Sequence, residues 1–439
     1  MGPRAMRVRS KPFALAIGAV LIVVLIVVVA VATSGNDAHA ACETTDADCV
    51  HVAAGAPIQI GSLLSKDQAS GKDGLVAVKL AMDYLDGRFD GVNGRLLDHP
   101  VSLLSADDGC SPAGGRKGAK QLLQESNLIA TVGTTCSSAA LGEADRLMSA
   151  AKVPLISPSN SAPLLTDPSR HQRYYFRTSF NDLIQGEVVA EFANSKIAKR
   201  RAAVFYTPDA YSRQLSDAFA KQFRRKGGMV VAQLDVQAKG GIKAAAAKAA
   251  GSRPNFIFVP MLEPTCHQTV AAAQAEPALK PASIVVAEAC QDPSFLKALG
   301  PASNGVYASG PGASKAASNN FYRREYLPAF IEKTGAAPTA VFNTNSFDAS
   351  NLIFATIRRV ADIQPGGELL INREELRSAL LDITGYEGLS GTLNCTPSGD
   401  CAQGARISIY QAPAWPAVQP NAMPVFSESR TIAELTSGL

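Results

Sequence analysis

Residues 128–166, LIATVGTTCSSAALGEADRLMSAAKVPLISPSNSAPLLT, alternate two short apolar runs with a helical stretch and a loop of hydroxyl side chains. Residues 128–132 are apolar and end at Gly133, and residues 153–156 form a second run ending in Ser157-Pro158-Ser159-Asn160-Ser161. Between them, residues 137–150 carry Leu141, Ala144, Leu147 and Met148 at helical spacing. Two parallel strands linked by a helix leave both strand ends on one edge, where α/β sheets bind ligands. Thr135-Cys136-Ser137-Ser138 stands at the helix start, where backbone N–H groups and the positive end of the dipole favour an anion. The same serines also suit caps and turns, so this edge alone implies only a small ligand carrying a carboxylate or phosphate.

The pattern repeats outward in both directions. Upstream, residues 58–64 and 101–106 read as strands and 75–85 and 116–125 as helices, with a glycine-rich turn over 86–94. Downstream, helices are expected over 181–194, 212–226, 242–250 and 265–275, and strands over 201–205, 229–234, 255–259 and 283–287. Repeated βα units of this kind predict parallel sheets flanked by helices, here in two similar lobes. The remainder breaks the pattern. Residues 318–334, 345–360 and 373–381 read as helices, 388–394 and 405–410 as strand-like, and the proline-rich tail from Gln411 as a surface extension.

At 439 residues, 46% of them hydrophobic and 18% charged, the chain is long enough for two globular bodies and too apolar for a disordered one. Its formal charge of +4 is concentrated in Arg4, Arg7, Arg9 and Lys11. The rest is nearly balanced, which gives no support for a nucleic-acid partner. The uncharged run at 13–33 follows that basic cluster, so residues 1–40 read as a signal peptide or signal anchor and residues 41–56 as a tether. All eight cysteines (Cys42, Cys49, Cys110, Cys136, Cys266, Cys290, Cys395, Cys401) lie beyond that run, and an exported chain favours disulfides over metal binding. Sequence alone does not fix the pairing. Spacing suggests neighbours: Cys42–Cys49, Cys110–Cys136, Cys266–Cys290 and Cys395–Cys401.

Several motifs then fall into one order. Asp107-Asp108-Gly109-Cys110-Ser111-Pro112 follows the second strand, Gly133-Thr134-Thr135-Cys136-Ser137-Ser138 the third, and Ile156-Ser157-Pro158-Ser159-Asn160-Ser161-Ala162-Pro163 the fourth. Phe176-Arg177 precedes Gln185-Gly186, and Gly388 precedes Gly391. In this order and spacing, residues 57–410 resemble the type I periplasmic solute-binding proteins, specifically the Leu/Ile/Val receptors of ABC transporters. The resemblance implies two α/β lobes joined by three crossovers, near 179–182, 309–312 and 391–394. One lobe would take residues 57–180 and 311–391, the other 181–310 and 392–412, with 413–439 as an extension. It supports the Cys110–Cys136 pair. It implies that Ser137, Ser159 and Ser161, with their neighbours Ser138 and Asn160, hold an α-carboxylate, that Glu288 holds the α-ammonium, and that Tyr211 helps close the cleft. Two departures keep side-chain specificity out of reach: the loop at 64–74 has no aromatic, and a family tyrosine falls near Leu262.

The leading expectation is therefore a receptor that captures an amino acid or similar small ligand and delivers it to an ABC permease, with no cofactor. The alternative is a membrane-tethered sensing ectodomain that acts with a partner signalling chain. An enzyme is disfavoured. The chain has no G-x-S-x-G, H-E-x-x-H or phosphate-loop motif, and its histidines (His39, His51, His99, His171, His267) are scattered.

Overall fold

The computed structural model describes residues 42, 48–312, 319–416 and 422–437. The proposed signal or anchor at 13–33 lies outside them, as does much of the proposed tether. Among the described residues no helix is long and apolar enough to cross a membrane.

The chain first builds β1 (Cys49–Val52), β2 (Ile58–Leu63), α1 (Ala69–Asp83), β3 (Arg95–Leu96), β4 (His99–Ala106), α2 (Pro112–Leu122), β5 (Leu128–Gly133), α3 (Ser137–Ala139), α4 (Asp145–Ala150), β6 (Leu155–Ser157) and β7 (Tyr175–Arg177). It crosses to α5 (Asp182–Glu191), β8 (Arg201–Tyr206), α6 (Ala210–Arg225), β9 (Met229–Asp235), α7 (Gly241–Gly251), β10 (Phe256–Val259), α8 (Thr265–Ala275), β11 (Ser283–Val286), α9 (Pro293–Leu299) and β12 (Tyr307–Pro311). It returns for α10 (Leu327–Thr334), α11 (Asn343–Val360), β13 (Asp362–Ile363), β14 (Leu369–Asn372), α12 (Arg373–Leu381), β15 (Tyr386–Glu387) and β16 (Thr392–Leu393). It ends with β17 (Gly404–Gln411), β18 (Phe426–Thr431) and α13 (Ile432–Thr436).

These elements make two α/β lobes joined by three crossovers. One sheet has the order β3-β4-β2-β5-β6-β7, the other β18-β17-β12-β11-β10-β8-β9. In each, the chain lays down a strand, adds the next parallel strand on one side, then reverses to the other side (β2, β4, β5; β8, β9, β10). That reversal opens a crevice at the C-terminal strand ends. Strands buried on both faces read as unbroken apolar runs. In β10, Ile257 and Val259 join the core on one side of the sheet while Phe256 and Phe258 join the core on the other. In the first lobe, α1 and α11 cover one face of the sheet, with Val78, Met82, Ile353 and Phe354 packed against Ile58, Ile60 and Val132.

All four neighbouring cysteine pairs form disulfides. Four expectations need correction. The second part of the tether is a strand: β1 pairs antiparallel with β14, burying Val50 and Val52, whose alternation marks an edge strand. The tail is not merely superficial. Its residues 426–431 pair with β17 as an outer strand, and Trp415 is fully buried against Phe295. The helix expected over 137–150 is kinked at Gly142 and Glu143, the latter at φ 93°. The cause is packing, because a Cβ on Gly142 would lie 2.3 Å from the Pro112 Cα. Finally, the loop 395–401 sits on the first lobe. Arg177 N donates to Gly399 O at 2.9 Å and Cys401 N to Arg177 O at 3.1 Å, extending the edge at β7.

Candidate functional site

Three strand ends from each lobe converge on one cleft. Its empty space, counted out to the mouth, is about 720 Å³, within the range of small-molecule sites. The first lobe contributes Thr135, Ser137 and Ser138 after β5, Ser159 after β6, and the start of α1 at Gln68–Ser70. The second contributes Asp209 and Tyr211 after β8, Leu262 and Glu263 after β10, and Glu288, Gln291 and Asp292 after β11. A strap at 339–342 completes the lining. Asp73 holds it by accepting Thr339 N at 2.7 Å and Ala340 N at 2.8 Å.

On the first lobe the hydroxyl groups tie the two loops together. Ser159 Oγ donates to Thr135 O at 2.7 Å, and Ser137 Oγ accepts Ala162 N at 3.3 Å. Asp108, from the loop after β4, accepts Thr135 N at 2.5 Å and Cys136 N at 3.4 Å on one oxygen and Cys110 N at 2.9 Å on the other. Two of the N–H groups assigned by sequence to an anionic ligand are thus already taken by a protein carboxylate. Burial pushes the Asp108 carboxyl up to about 6 despite these bonds. Asn160 does not face the cleft, a correction to its candidate role. Its amide accepts from Thr134 Oγ1 (2.9 Å) and Tyr175 OH (3.2 Å) and donates to Thr134 O (3.0 Å), so it braces the loop. Ser161 is also turned inward. It is fully buried, its hydroxyl has no hydrogen-bond partner, and it lies close enough to Asp182 to favour that group's charged form.

On the second lobe Glu288 is the central group. Tyr211 OH donates to Oε1 at 2.7 Å and Gln185 Nε2 to Oε2 at 2.6 Å. Gln185 Nε2 also reaches Ser309 Oγ at 2.9 Å, joining α5 to β12 behind the site. Burial raises the Glu288 carboxyl above its ordinary range, while the bonds from Tyr211 and Gln185 favour its charged form. Behind it, Asp182 is completely buried with both carboxylate oxygens unpartnered. Burial first, then the charge of Glu288, holds the Asp182 carboxyl well above the usual carboxylate range. Glu263 lies beside Cys266 and Cys290 in a grouping that resembles a metal site, but the two sulfurs are bonded to each other and offer no thiolate.

The model of a family described as periplasmic binding protein matches residues 57–408. The chain belongs to that family. Among curated relatives of this periplasmic binding protein, an amino acid binding protein of Pseudomonas aeruginosa is 29% identical over 137 residues, 31% of this chain and 35% of the relative. A Leu/Ile/Val-binding protein homolog of Brucella melitensis is 30% identical over 142 residues, 32% of this chain and 37% of the relative. The matched stretch therefore spans about a third of each relative's length. Solved structures share the fold along nearly the whole chain. A leucine-binding protein of Thermotoga maritima aligns at TM-score 0.70 and 21% identity, covering 86% of this chain and 99% of its own. A solute-binding protein of R. palustris in complex with benzoate aligns at TM-score 0.66 and 17% identity, covering 85% and 96%.

Ser137, Ser138, Ser159, Tyr211 and Glu288, expected from the strand ends and from the resemblance, all line one cleft of this periplasmic binding protein. Gln185, Gln291 and Asp182 were missed. Gln185-Gly186 was visible as a motif, but only the crossing of α5 behind β12 shows what the glutamine touches. Gly186 is there for contact, since a Cβ would lie 2.7 Å from Phe219 N.

Proposed function

We propose that this chain is the extracytoplasmic receptor of an ABC transporter, capturing an α-amino acid between its lobes and delivering it to a permease. One observation carries the reading: a buried carboxylate, Glu288, oriented by Tyr211 and Gln185, stands in the same cleft as the hydroxyls of Ser137, Ser138 and Ser159. A zwitterion matches that division of charge. Its ammonium pairs with Glu288, and its carboxylate accepts from the opposite lobe, where the Ser137 hydroxyl, so far only an acceptor, has its proton to give. Splitting the two contacts between lobes makes binding favour closure. The ligands of similar proteins, leucine, isoleucine and benzoate, all carry a carboxylate, which agrees with the first-lobe half of the site.

For the moving bodies we take residues 57–180 with 311–391 and residues 181–310 with 392–412, except that the loop 395–401 travels with the first. Export through the segment at 13–33 supplies the compartment in this reading. The deciding experiment is a thermal-shift panel of amino acids and small carboxylates. A true ligand at 100 times its Kd adds roughly 2.7 kcal/mol of stability. Stabilisation by amino acids supports the proposal, and no shift with any of them removes it.

A further inference from the structure

The wall of the cleft beyond Glu288 is unusually charged for a site that takes an aliphatic side chain. Glu263, Asp292 and Asp209 line it, and no Lys, Arg or His does among the described lining residues. Asp209 is committed to its helix, accepting Ser212 N at 3.1 Å as the cap of α6. Asp292 likewise caps α9 by accepting Ser294 N at 2.7 Å. Glu263 is different. One oxygen meets His267 Nδ1 at 2.5 Å, while the other is buried without a partner. Burial raises the Glu263 carboxyl, the hydrogen bond and charge of His267 oppose that rise, and the charge of Asp292 adds to it. Gln291 follows β11, three residues after Glu288 and one before Asp292. It is 3% exposed, lines the same cleft, and neither its amide nitrogen nor its amide oxygen has a hydrogen-bond partner. Closing such a wall over an apolar ligand would bury the Asp292 charge, the unpartnered oxygen of Glu263 and an unsatisfied amide, which is costly. The approach to it is apolar, through Leu262, Ala289, Val341 and Phe342.

We infer that the ligand carries a second cationic group at the end of an aliphatic stem, held by Glu263 and Gln291 in the field of Asp292, so that the substrate class is basic amino acids. The stem lies along Leu262 and Phe342. The terminal nitrogen donates to the free oxygen of Glu263 and to the Gln291 amide oxygen, and its charge relieves the repulsion between Glu263 and Asp292. This assignment rests on the reading of Glu288 as the ammonium contact.

The test is calorimetric titration of the full-length chain with L-lysine, L-arginine, L-norleucine and cadaverine. Norleucine keeps the stem of lysine and lacks its terminal amine. Lysine or arginine should bind at least about tenfold more tightly than norleucine, the size expected of a charge-assisted contact. Glu263→Gln should bring the lysine-to-norleucine ratio close to one. Asp292→Asn, which retains a capping side chain, should lower the ratio in the same direction. Norleucine binding as tightly as lysine, and still weakened by Glu288→Gln, overturns this inference and leaves the ammonium reading intact. Cadaverine binding that Glu263→Gln abolishes, with no amino acid bound, supports the cationic subsite and removes the zwitterion. Failure of every cationic probe to bind overturns the subsite.

Discussion

Tyr211 donates its hydroxyl proton to Oε1 of Glu288 at 2.7 Å, and both residues belong to the second lobe. The hydrogen bond points the glutamate into the cleft before any ligand arrives. Gln185 fixes the other oxygen, so the carboxylate is preorganised on both sides. Glu288→Gln removes the charge and keeps the shape. Titration of this variant should show amino acid affinity lowered by at least about tenfold, with little change for a carboxylate that lacks the amine. Tyr211→Phe should weaken the same ligands less, because it loosens the carboxylate without discharging it. Equal losses for ligands with and without an amine would remove Glu288 from its assigned role.

Much of this site was legible because it sits at strand ends, and these strands announce themselves. Residues 256–259 (FIFV) and 283–286 (SIVV) are almost wholly apolar, so the side chains that follow them must lie at the sheet edge. Glu288 falls at such an edge, and the family resemblance supplies its expected role. Asp108 was not legible, because its role depends on a contact with Thr135 that spans 27 residues and reaches past the end of β2. The kink at Gly142 escaped for a related reason. Helical spacing continues through it, and only the approach of Pro112 breaks the turn. The outer strand at 426–431 is polar and follows a proline-rich stretch, so its composition gave no sign that it pairs with β17.

The Arg177–Asp400 ion pair is buried, with side-chain exposures of 0% and 7%. Arg177 also donates to Asn160 O at 3.3 Å, Ala162 O at 3.0 Å and Thr166 Oγ1 at 2.7 Å. It thus links the hydroxyl loop after β6 to the loop closed by Cys395 and Cys401. Asp400→Ala would strand a guanidinium in the interior. Chemical denaturation should show a loss of about 3–5 kcal/mol, and ligand affinity should fall as the loop around Ser159 loosens. A loss no larger than that of an exposed pair such as Arg359–Asp382 would contradict this account.

Gly115 makes a sharper steric case. Alanine is ordinarily the better helix former by about 1 kcal/mol. In α2, however, a Cβ at this position would lie 2.1 Å from Ala139 O and 2.7 Å from its carbonyl carbon. That backbone belongs to α3, which begins at Ser137. Gly115→Ala should therefore destabilise the protein by about 1–3 kcal/mol and weaken ligand binding by displacing Ser137 and Ser138. Gly251→Ala at the end of α7, where no atom lies within 4 Å of the new Cβ, should instead be neutral or slightly stabilising. Denaturant midpoints of the two variants test the difference in sign.

Acid should act on stability and on binding in opposite directions. Burial raises both Asp108 and Asp145 from 3.8 to about 6. A carboxyl whose folded pKa lies above its unfolded value binds protons more readily when folded, so stability falls as pH rises between the two values. The ligand-free protein should accordingly melt at a higher temperature at pH 5 than at pH 7. Asp145 Oδ1 accepts the neighbouring Arg146 N at 2.6 Å, and Asp145→Asn preserves that acceptor while removing the titration. This variant should narrow the difference between the two pH values. Binding runs the other way, because only ionised Glu288 pairs with an ammonium. Its raised pKa means that affinity begins to fall at a higher pH than an ordinary carboxylate would require. The ligand-induced rise in melting temperature should therefore shrink on acidification, while the ligand-free baseline climbs. A baseline that falls steadily from pH 7 to pH 5 would show that the buried carboxyls do not govern stability in this range.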